Sequence, residues 1–305
     1  MPELPEVETT KEGLKKIILG FKIKDVWTNL KTKDKRQSGA IANVKYFKYF
    51  KKAVVGERVV SVERRAKNIL INLSHNKTVL IHLKMTGHLL YGKYKYLKQQ
   101  NKWVPGETGP LNDPFNRFVH VVFTLSNGKH LAFSDARKFG KITLLDTKTA
   151  HDTKHLNNLG PEPLEKNFTV QVFKERLSKK PNGKIKTVLM DQSVLAGIGN
   201  IYSDEVLWLA GVNPEKKTNK LTSTELKLMF KGVKKTLARG IDLGGDSMSD
   251  YRNIHGLPGR FQLHHNAYRK TGDGCNKKGC RGIIKRKIVN GRSAHFCSQH
   301  QILHD

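Results

Sequence analysis

The chain has 305 residues, with 56 Lys or Arg against 26 Asp or Glu, a formal net charge of +30 and a sequence pI near 10.0. Such an excess repels itself unless a polyanion is the working partner, which puts nucleic acid first and an anionic membrane surface second. The 37% hydrophobic content supplies ordinary cores, and no stretch approaches the roughly 20 apolar residues of a membrane span.

In chain order, residues 4–19 read as a helix: Pro5 suits the first turn, Val7, Leu14, Ile17 and Ile18 share a side, and Gly20 stops it. Residues 45–52 interleave lysines with Tyr46, Phe47, Tyr49 and Phe50. That run suits either a nucleic-acid track or, more simply, a solvated helix face. Residues 69–73 and 79–83 flank a polar turn, and 121–125 and 130–133 flank Asn127-Gly128. Short strands joined by hairpin turns predict a β-sandwich. Residues 91–114 show no clear period and read as an exposed insertion. From about 146–160 onward the pattern is helical. Thr222-Ser223-Thr224-Glu225 is a capping box, followed by Leu226, Met229, Phe230, Val233 and Leu237 at core-facing helical spacing. Residues 243–259 are rich in Gly, Ser, Asp and Asn and predict a mobile loop. Residues 283–292 read as two short strands around Asn290-Gly291.

Two places carry chemistry. The chain starts Met1-Pro2-Glu3-Leu4-Pro5-Glu6-Val7-Glu8. Removal of Met1 before the small Pro2 is expected, and it makes Pro2 a terminal secondary amine, a nucleophile that gives an iminium directly, with Glu3 beside it as acid or base. An α-amine has a reference pKa of about 7.7–8.0, which nearby cations lower. This acidic start lacks the apolar region of a signal peptide. At the other end, Cys275, Cys280, Cys297 and His300 form C-x4-C-x16-C-x2-H, a donor set suited to tetrahedral zinc. His295 and His304 compete for the fourth place. His300 is preferred for its tight spacing from Cys297. Three cysteines cannot all pair as disulfides, and a free-thiol site fits an intracellular, reducing compartment. A lone hairpin is marginal in water, and zinc would hold it.

Taken together, these ends and the segment from Leu189 to Glu205 (LMDQSVLAGIGNIYSDE) resemble the formamidopyrimidine-DNA glycosylase / endonuclease VIII family of base-excision repair, over most of the chain and in the family's order. The resemblance implies an α+β protein. Residues 1–148 would form an N-terminal catalytic β-sandwich with flanking helices, 149–262 a helical helix–two-turn–helix domain, and 263–305 a zinc-finger β-hairpin, with double-stranded damaged DNA as partner and a monomer as the working form. It also implies roles. Pro2 is the nucleophile at the sugar C1′ and Glu3 the general acid/base. Lys67, in Arg64-Arg65-Ala66-Lys67, contacts phosphates and assists proton transfer, with Ala66 where the family usually has Gly. Glu205 matches a further active-site carboxylate, and Glu6 another family carboxylate that serves equally well as a helix N-terminal charge. Met85 (in KMTG) with Arg137 and Phe139 (in SDARKFG) fill the gap left by a flipped base. Asn200 and Arg292 hold phosphates, Arg292 lying five residues before Cys297.

Two departures are visible: the first cysteine pair is spaced by four residues rather than two, and the last ligand is histidine rather than cysteine. Leu4-Pro5 and the long loop from Asp246 to Arg260 lean toward the oxidised-purine branch, where the loop caps 8-oxoguanine; the oxidised-pyrimidine branch stays open. Other classes are a non-catalytic DNA binder on the same scaffold and an RNA-binding protein.

Overall fold

The computed structural model describes residues 1–34 and 37–303. Its contacts divide the chain into two compact units, Met1–Asn157 with Leu243–Arg260, and Asn158–Asp242 with Phe261–Asp305.

The first unit is a β-sandwich. Strands β1 (Ile23–Thr28), β2 (Val59–Arg65), β3 (Asn68–Leu73), β4 (Lys77–His82), β5 (His88–Gly92), β6 (Tyr94–Leu97), β7 (Lys102–Pro105), β8 (Val119–Leu125), β9 (His130–Ser134) and β10 (Lys141–Asp146) form two four-stranded antiparallel sheets, ordered β1-β8-β9-β5 and β10-β4-β3-β2, plus the β6-β7 hairpin. Val26, Val62, Ile69, Ile81, Leu89, Val121, Phe123 and Phe133 share one buried cluster, and each is worth about 1.5–3 kcal/mol of burial. Helix α1 (Leu4–Ile17) adds Val7 and Leu14 to that core. Helix α2 (Val44–Val54), capped by Asn43 Oδ1 on Tyr46 N–H at 3.0 Å, turns Phe50 and Val54 inward. Tyr46 and Phe47 pack on the same core, so the lysines of residues 45–52 lie on the solvated face of an amphipathic helix.

The insertion departs from its sequence reading. It is largely exposed, as read, but not without regular structure: it contains β6 and β7, then 3-10 turns at Pro110–Asn112 and Pro114–Arg117. Tyr96 and Trp103 meet at 5.4 Å between ring centroids, and Trp27 meets them at 5.9 and 6.4 Å. The period-2 signal in Tyr94-Lys95-Tyr96 is only three residues long, and its partner strand holds a proline, which hides the pattern from a periodicity reading.

In the second unit, α3 (Val170–Ser178), α4 (Ile185–Met190), α5 (Asn200–Ala210) and α6 (Ser223–Asp242) precede a hairpin of β11 (Ile284–Val289) and β12 (Arg292–Cys297). The capping box forms: Thr222 N–H donates to Glu225 Oε2 at 2.8 Å and Glu225 N–H to Thr222 Oγ1 at 3.2 Å. Asn290 (φ 46°) and Gly291 (φ 74°) make the hairpin turn, as the Asn-Gly pair predicts. A buried polar network joins α4, α5 and the hairpin. Lys186 Nζ meets Asp204 Oδ1 at 2.7 Å and also donates to Asn200 O at 2.8 Å, while Asp204 Oδ2 takes His295 Nδ1 at 2.8 Å and His295 N–H at 3.1 Å.

Glu57 is a measurable electrostatic tie in the sandwich. Burial works to raise its pKa, but hydrogen bonds from Lys77 (2.7 Å), Ser74 and His75 (2.9 Å) outweigh it and bring the group to about 2. A depressed carboxyl contributes stability above its unfolded pKa and loses it as pH falls through the folded one. Thermal melts of the wild type should therefore lose stability between about pH 4.5 and 2. Glu57→Gln should flatten that window and cost about 1–2 kcal/mol at pH 7, allowing for solvent at the half-buried Lys77.

Candidate active site and nucleic-acid interface

The amino terminus is fixed by its own carboxylates. Pro2, Glu3, Leu4, Pro5 and Glu6 are all buried, whereas Met1 is 39% exposed. Glu3 is the N-cap of α1 and Glu6 its third residue, and the two form a reciprocal capping box. Glu6 Oε2 takes the N–H of Glu3 at 2.7 Å, and Glu6 Oε1 takes the N–H of Asp246 at 2.7 Å. Both oxygens of Glu6 thus accept backbone amides. Gly245 (φ 85°) has no room for a side chain, since a Cβ there would lie 2.9 Å from Glu6 Cγ.

Lys67 sits in the two-residue turn between β2 and β3 and is 5% exposed. Ala66 takes φ 53°, a left-handed conformation that glycine adopts more readily. This turn is tied to α1: Arg64 Nε donates to Glu8 Oε2 at 2.6 Å, and Arg64 Nη1 to Ala66 O at 3.0 Å. Burial pushes the Glu8 carboxyl up, and its hydrogen bonds from Lys11 and Arg64 hold it below the usual range. His82, read from sequence only as a strand residue, pairs across the sheet with Asn68, the residue after Lys67, and accepts Lys84 N–H at Nδ1, 3.0 Å. Burial first, then the charges of Lys84, Lys67 and His155, lower its pKa to about 3. A neutral imidazole among cations marks a place where an anion is favoured. Its adjacency to the Lys84-Met85 turn was the available signal.

Met85, Arg137 and Phe139, expected to fill the gap left by a flipped base, sit on two turns that one carboxylate holds together. Met85 is 39% exposed and Phe139 50% exposed, with the Arg137 guanidinium 4.7 Å from the Phe139 ring centroid. Beneath them Asp135, 1% exposed, accepts the Thr86 hydroxyl and Arg137 N–H (3.2 Å) at Oδ1, and Gly140 N–H at Oδ2, 2.7 Å. Gly87 and Gly140 both lie against the Phe133 ring, where a Cβ would come within 2.7 and 2.2 Å of Cζ. Apolar side chains held in water on turns built this way are a cost without a partner.

In the second unit, Gln192 laces the turn between α4 and α5: Oε1 accepts Gly197 N–H at 2.9 Å, and Nε2 donates to Met190 O and Ile198 O at 2.9 and 2.7 Å. Gly197 takes φ 87°. Asn200 opens α5, and its Oδ1 is buried with no hydrogen-bond partner among the described residues. It lines an open groove of about 490 Å³ with Arg269, Arg286, Ser293 and His295 among its neighbours. Arg292 is exposed at the turn end of β12 and is not among the groove's lining residues. Glu205 is 2% exposed. Its Oε1 accepts the N–H groups of Ala267 and Tyr268, and its Oε2 the N–H and Nδ2 of Asn266, all at 2.9 Å.

The donor atoms of Cys275, Cys280, Cys297 and His300 all lie within 4.8 Å of one another. Cys280 Sγ is 3.5 Å from Cys297 Sγ, and His300 Nδ1 is 3.5 and 3.7 Å from Cys275 and Cys280 Sγ. Those spacings suit the edges of a tetrahedron with metal–sulfur bonds near 2.3 Å. His300 Nε2 is 3.0 Å from Trp208 O, so the proton belongs on Nε2 and the Nδ1 lone pair faces the thiols. Burial lowers the His300 pKa and keeps the ring neutral, as a ligand must be. His295 is committed to Asp204 instead, and His304 lies outside the described residues. The cluster is able to hold a metal ion.

With this geometry in place, likeness to known proteins decides the family. The formamidopyrimidine-DNA glycosylase N-terminal domain matches residues 1–142 and the formamidopyrimidine-DNA glycosylase H2TH domain residues 159–252. The formamidopyrimidine-DNA glycosylase of Ligilactobacillus salivarius is 36% identical over 303 residues, 99% of each chain. The chain belongs to the formamidopyrimidine-DNA glycosylase family. The Bacillus subtilis member is 36% identical over 304 residues, again 99% of each. A solved complex of Lactococcus lactis Fpg with abasic-site DNA superposes at a TM-score of 0.81 with 31% identity, covering 99% of this chain and 100% of that one. Another, with N7-benzyl-Fapy-dG DNA, superposes at 0.81 with 31% identity and the same coverage. Among the described residues no helix is long and apolar enough to cross a membrane.

Two measurements test this geometry. Asp135→Ala strands the donors of both turns and should cost about 2–4 kcal/mol in denaturant unfolding. Cobalt(II) added to the reduced protein should give the intense visible bands of a tetrahedral thiolate site. His300→Cys should keep those bands yet lower the melting temperature, because a metal-bound thiolate has no proton for Trp208 O.

Proposed function

We propose that this chain is a bifunctional DNA glycosylase and abasic-site lyase that removes oxidised purines, formamidopyrimidine and 8-oxoguanine, from duplex DNA. The observation that carries the reading is the buried, carboxylate-fixed start of the chain: Pro2 and Glu3 stand in a set position, with Met1 outside it. Residues 1–148 would hold the chemistry, 149–262 the helical DNA grip and 263–305 the finger. The protein would work as a monomer inside the cell, wherever its DNA lies.

Once Met1 is removed, the Pro2 nitrogen carries a lone pair. It bonds to the sugar C1′ as the bond from C1′ to the base breaks, and the base leaves with a proton. The ring oxygen takes a proton as the sugar opens, leaving a charged iminium at C1′. That charge acidifies the C2′ proton, whose loss expels the 3′ phosphate. A second elimination expels the 5′ phosphate, and water then frees the amine. Glu3 moves the protons at the ring oxygen and C2′, and Lys67 with His82 holds the phosphates beside the sugar. Met85, Arg137 and Phe139 occupy the gap in the stack. Asn200 presents its amide to the backbone, and Arg292 reaches it from the hairpin. Glu6 and Glu205, first read as catalytic, act instead as positioning residues, because each carboxylate is spent on backbone amides. Zinc is the metal proposed for the Cys275, Cys280, Cys297 and His300 set, where it would brace the finger.

Borohydride should trap a covalent adduct between the Met1-processed protein and an abasic duplex. A form that keeps Met1 should give none, and Glu3→Gln should slow base release by about 10²–10⁴-fold. Full-speed cleavage by protein of intact mass with Met1 retained would overturn the mechanism. A duplex panel with 8-oxoguanine, formamidopyrimidine and thymine glycol separates the purine reading from the pyrimidine one.

A further inference from the structure

The insertion after β5 and the loop Leu243–Arg260 meet at several named bonds, all within the first unit. Arg252 Nε donates to Asp113 Oδ2 at 3.1 Å, with side chains only 7% and 25% exposed. The same guanidinium lies 4.4 Å from the Phe115 ring centroid and donates to Ser249 O and Tyr251 O at 3.1 and 2.9 Å. Asn116, 1% exposed, donates to Pro110 O at 3.0 Å and to Gly256 O at 3.2 Å, and its Oδ1 is 3.0 Å from His88 Nε2. Gly256 (φ 81°) is pressed so closely that a Cβ would lie 2.7 Å from both Asn116 Nδ2 and Pro110 O. Further along, Tyr91 N–H donates to Ile254 O at 2.7 Å, Ile254 is 2% exposed, and the Tyr251 hydroxyl donates to Glu6 O at 3.0 Å.

By composition this loop should be loose. It is fastened on one side by α1 and on the other by the insertion. We propose that the insertion is a brace that holds this loop ordered before DNA arrives, with Asp113 and Asn116 as positioning residues for the part that covers the damaged base. The proposal rests on the reading above in which the loop is the lesion cap. A loop ordered in advance removes an entropic cost from lesion capture. An abasic site presents no base to cover, so its cleavage does not draw on the brace.

The test uses Asp113→Asn, which keeps the cap on Phe115 N–H (2.8 Å) and removes the charge facing Arg252, and Asn116→Ala. Amide hydrogen exchange in residues 243–260 should quicken roughly ten-fold in each, the size of one partly screened charge-assisted hydrogen bond. Single-turnover release of 8-oxoguanine should fall about five- to ten-fold relative to abasic-site cleavage, and Asp113→Glu should restore both. Unchanged exchange, or excision and abasic cleavage falling in equal proportion, would overturn the brace. If the unmodified protein neither releases a base nor traps an adduct, the enzymatic reading fails, and the exchange rates still decide whether the insertion orders the loop.

Discussion

The structure turns on one carboxylate. Glu6 is buried, and an isolated ionised group there would be costly. Its two oxygens meet that demand with amides far apart in the chain, Glu3 at its start and Asp246, 240 residues beyond Glu6, in the late loop. A terminus is ordinarily the most frayed part of a protein. Here the first turn cannot fray without exposing the α1 core residues Leu4 and Val7 and orphaning Glu6. A reactive nitrogen on a terminus needs this constraint, because a nucleophile acts only when its position is set.

The same device recurs. Asp135 gathers the hydroxyl and amides of two turns, and Glu205 takes four bonds from residues 266–268. Glu3, Glu57, Asp204 and Asp246 are buried too. Against 56 basic residues the chain has only 26 acidic ones, and several of those lie inside, holding loops. The outer surface is left correspondingly basic. Loop construction and attraction for a polyanion are therefore two results of one distribution of charge.

Much of this was legible in the sequence, and the limit has a physical form. Signals carried by nearest neighbours were readable: the Asn290-Gly291 turn, the Thr222–Glu225 capping box, the cysteine spacing, the helix broken at Gly20. The family itself was readable from its motifs, the Pro2-Glu3 start and the Leu189–Glu205 segment among them. What escaped depends on partners far apart in the chain. Asp113 has no local reason to meet Arg252, and Asn116 none to meet Gly256, so the insertion looked formless and the late loop mobile. Glu6 and Glu205 were legible as acids of the family pattern, and Glu6 also as a helix N-terminal charge, but sequence shows the acid and not the distant amides its oxygens accept. His82 was passed over as an ordinary strand residue because its cationic neighbours, Lys84, Lys67 and His155, come from three separate turns.

The departure of the finger from four cysteines follows from how the hairpin is fastened. Of β11 only Ile284 and Val289 are buried, too little apolar surface to hold two strands in water. β12 adds Ala294 and Cys297, the latter in a small cluster with Ile284 and Trp208, and the rest of the grip is polar: His295 on Asp204, Gln301 Nε2 on Val212 O at 2.8 Å, Asn213 Nδ2 on Gln301 O at 2.7 Å, and His300 on Trp208 O. A metal-bound thiolate at position 300 would satisfy the ion and offer nothing to the helix. An imidazole has two nitrogens. One faces the thiols and the other donates to the last turn of α5, so the residue that closes the metal site also joins the finger to the helix that begins at Asn200. In a domain with so little apolar cover, the histidine couples metal binding to the helix position in a way that a fourth cysteine is chemically unable to do.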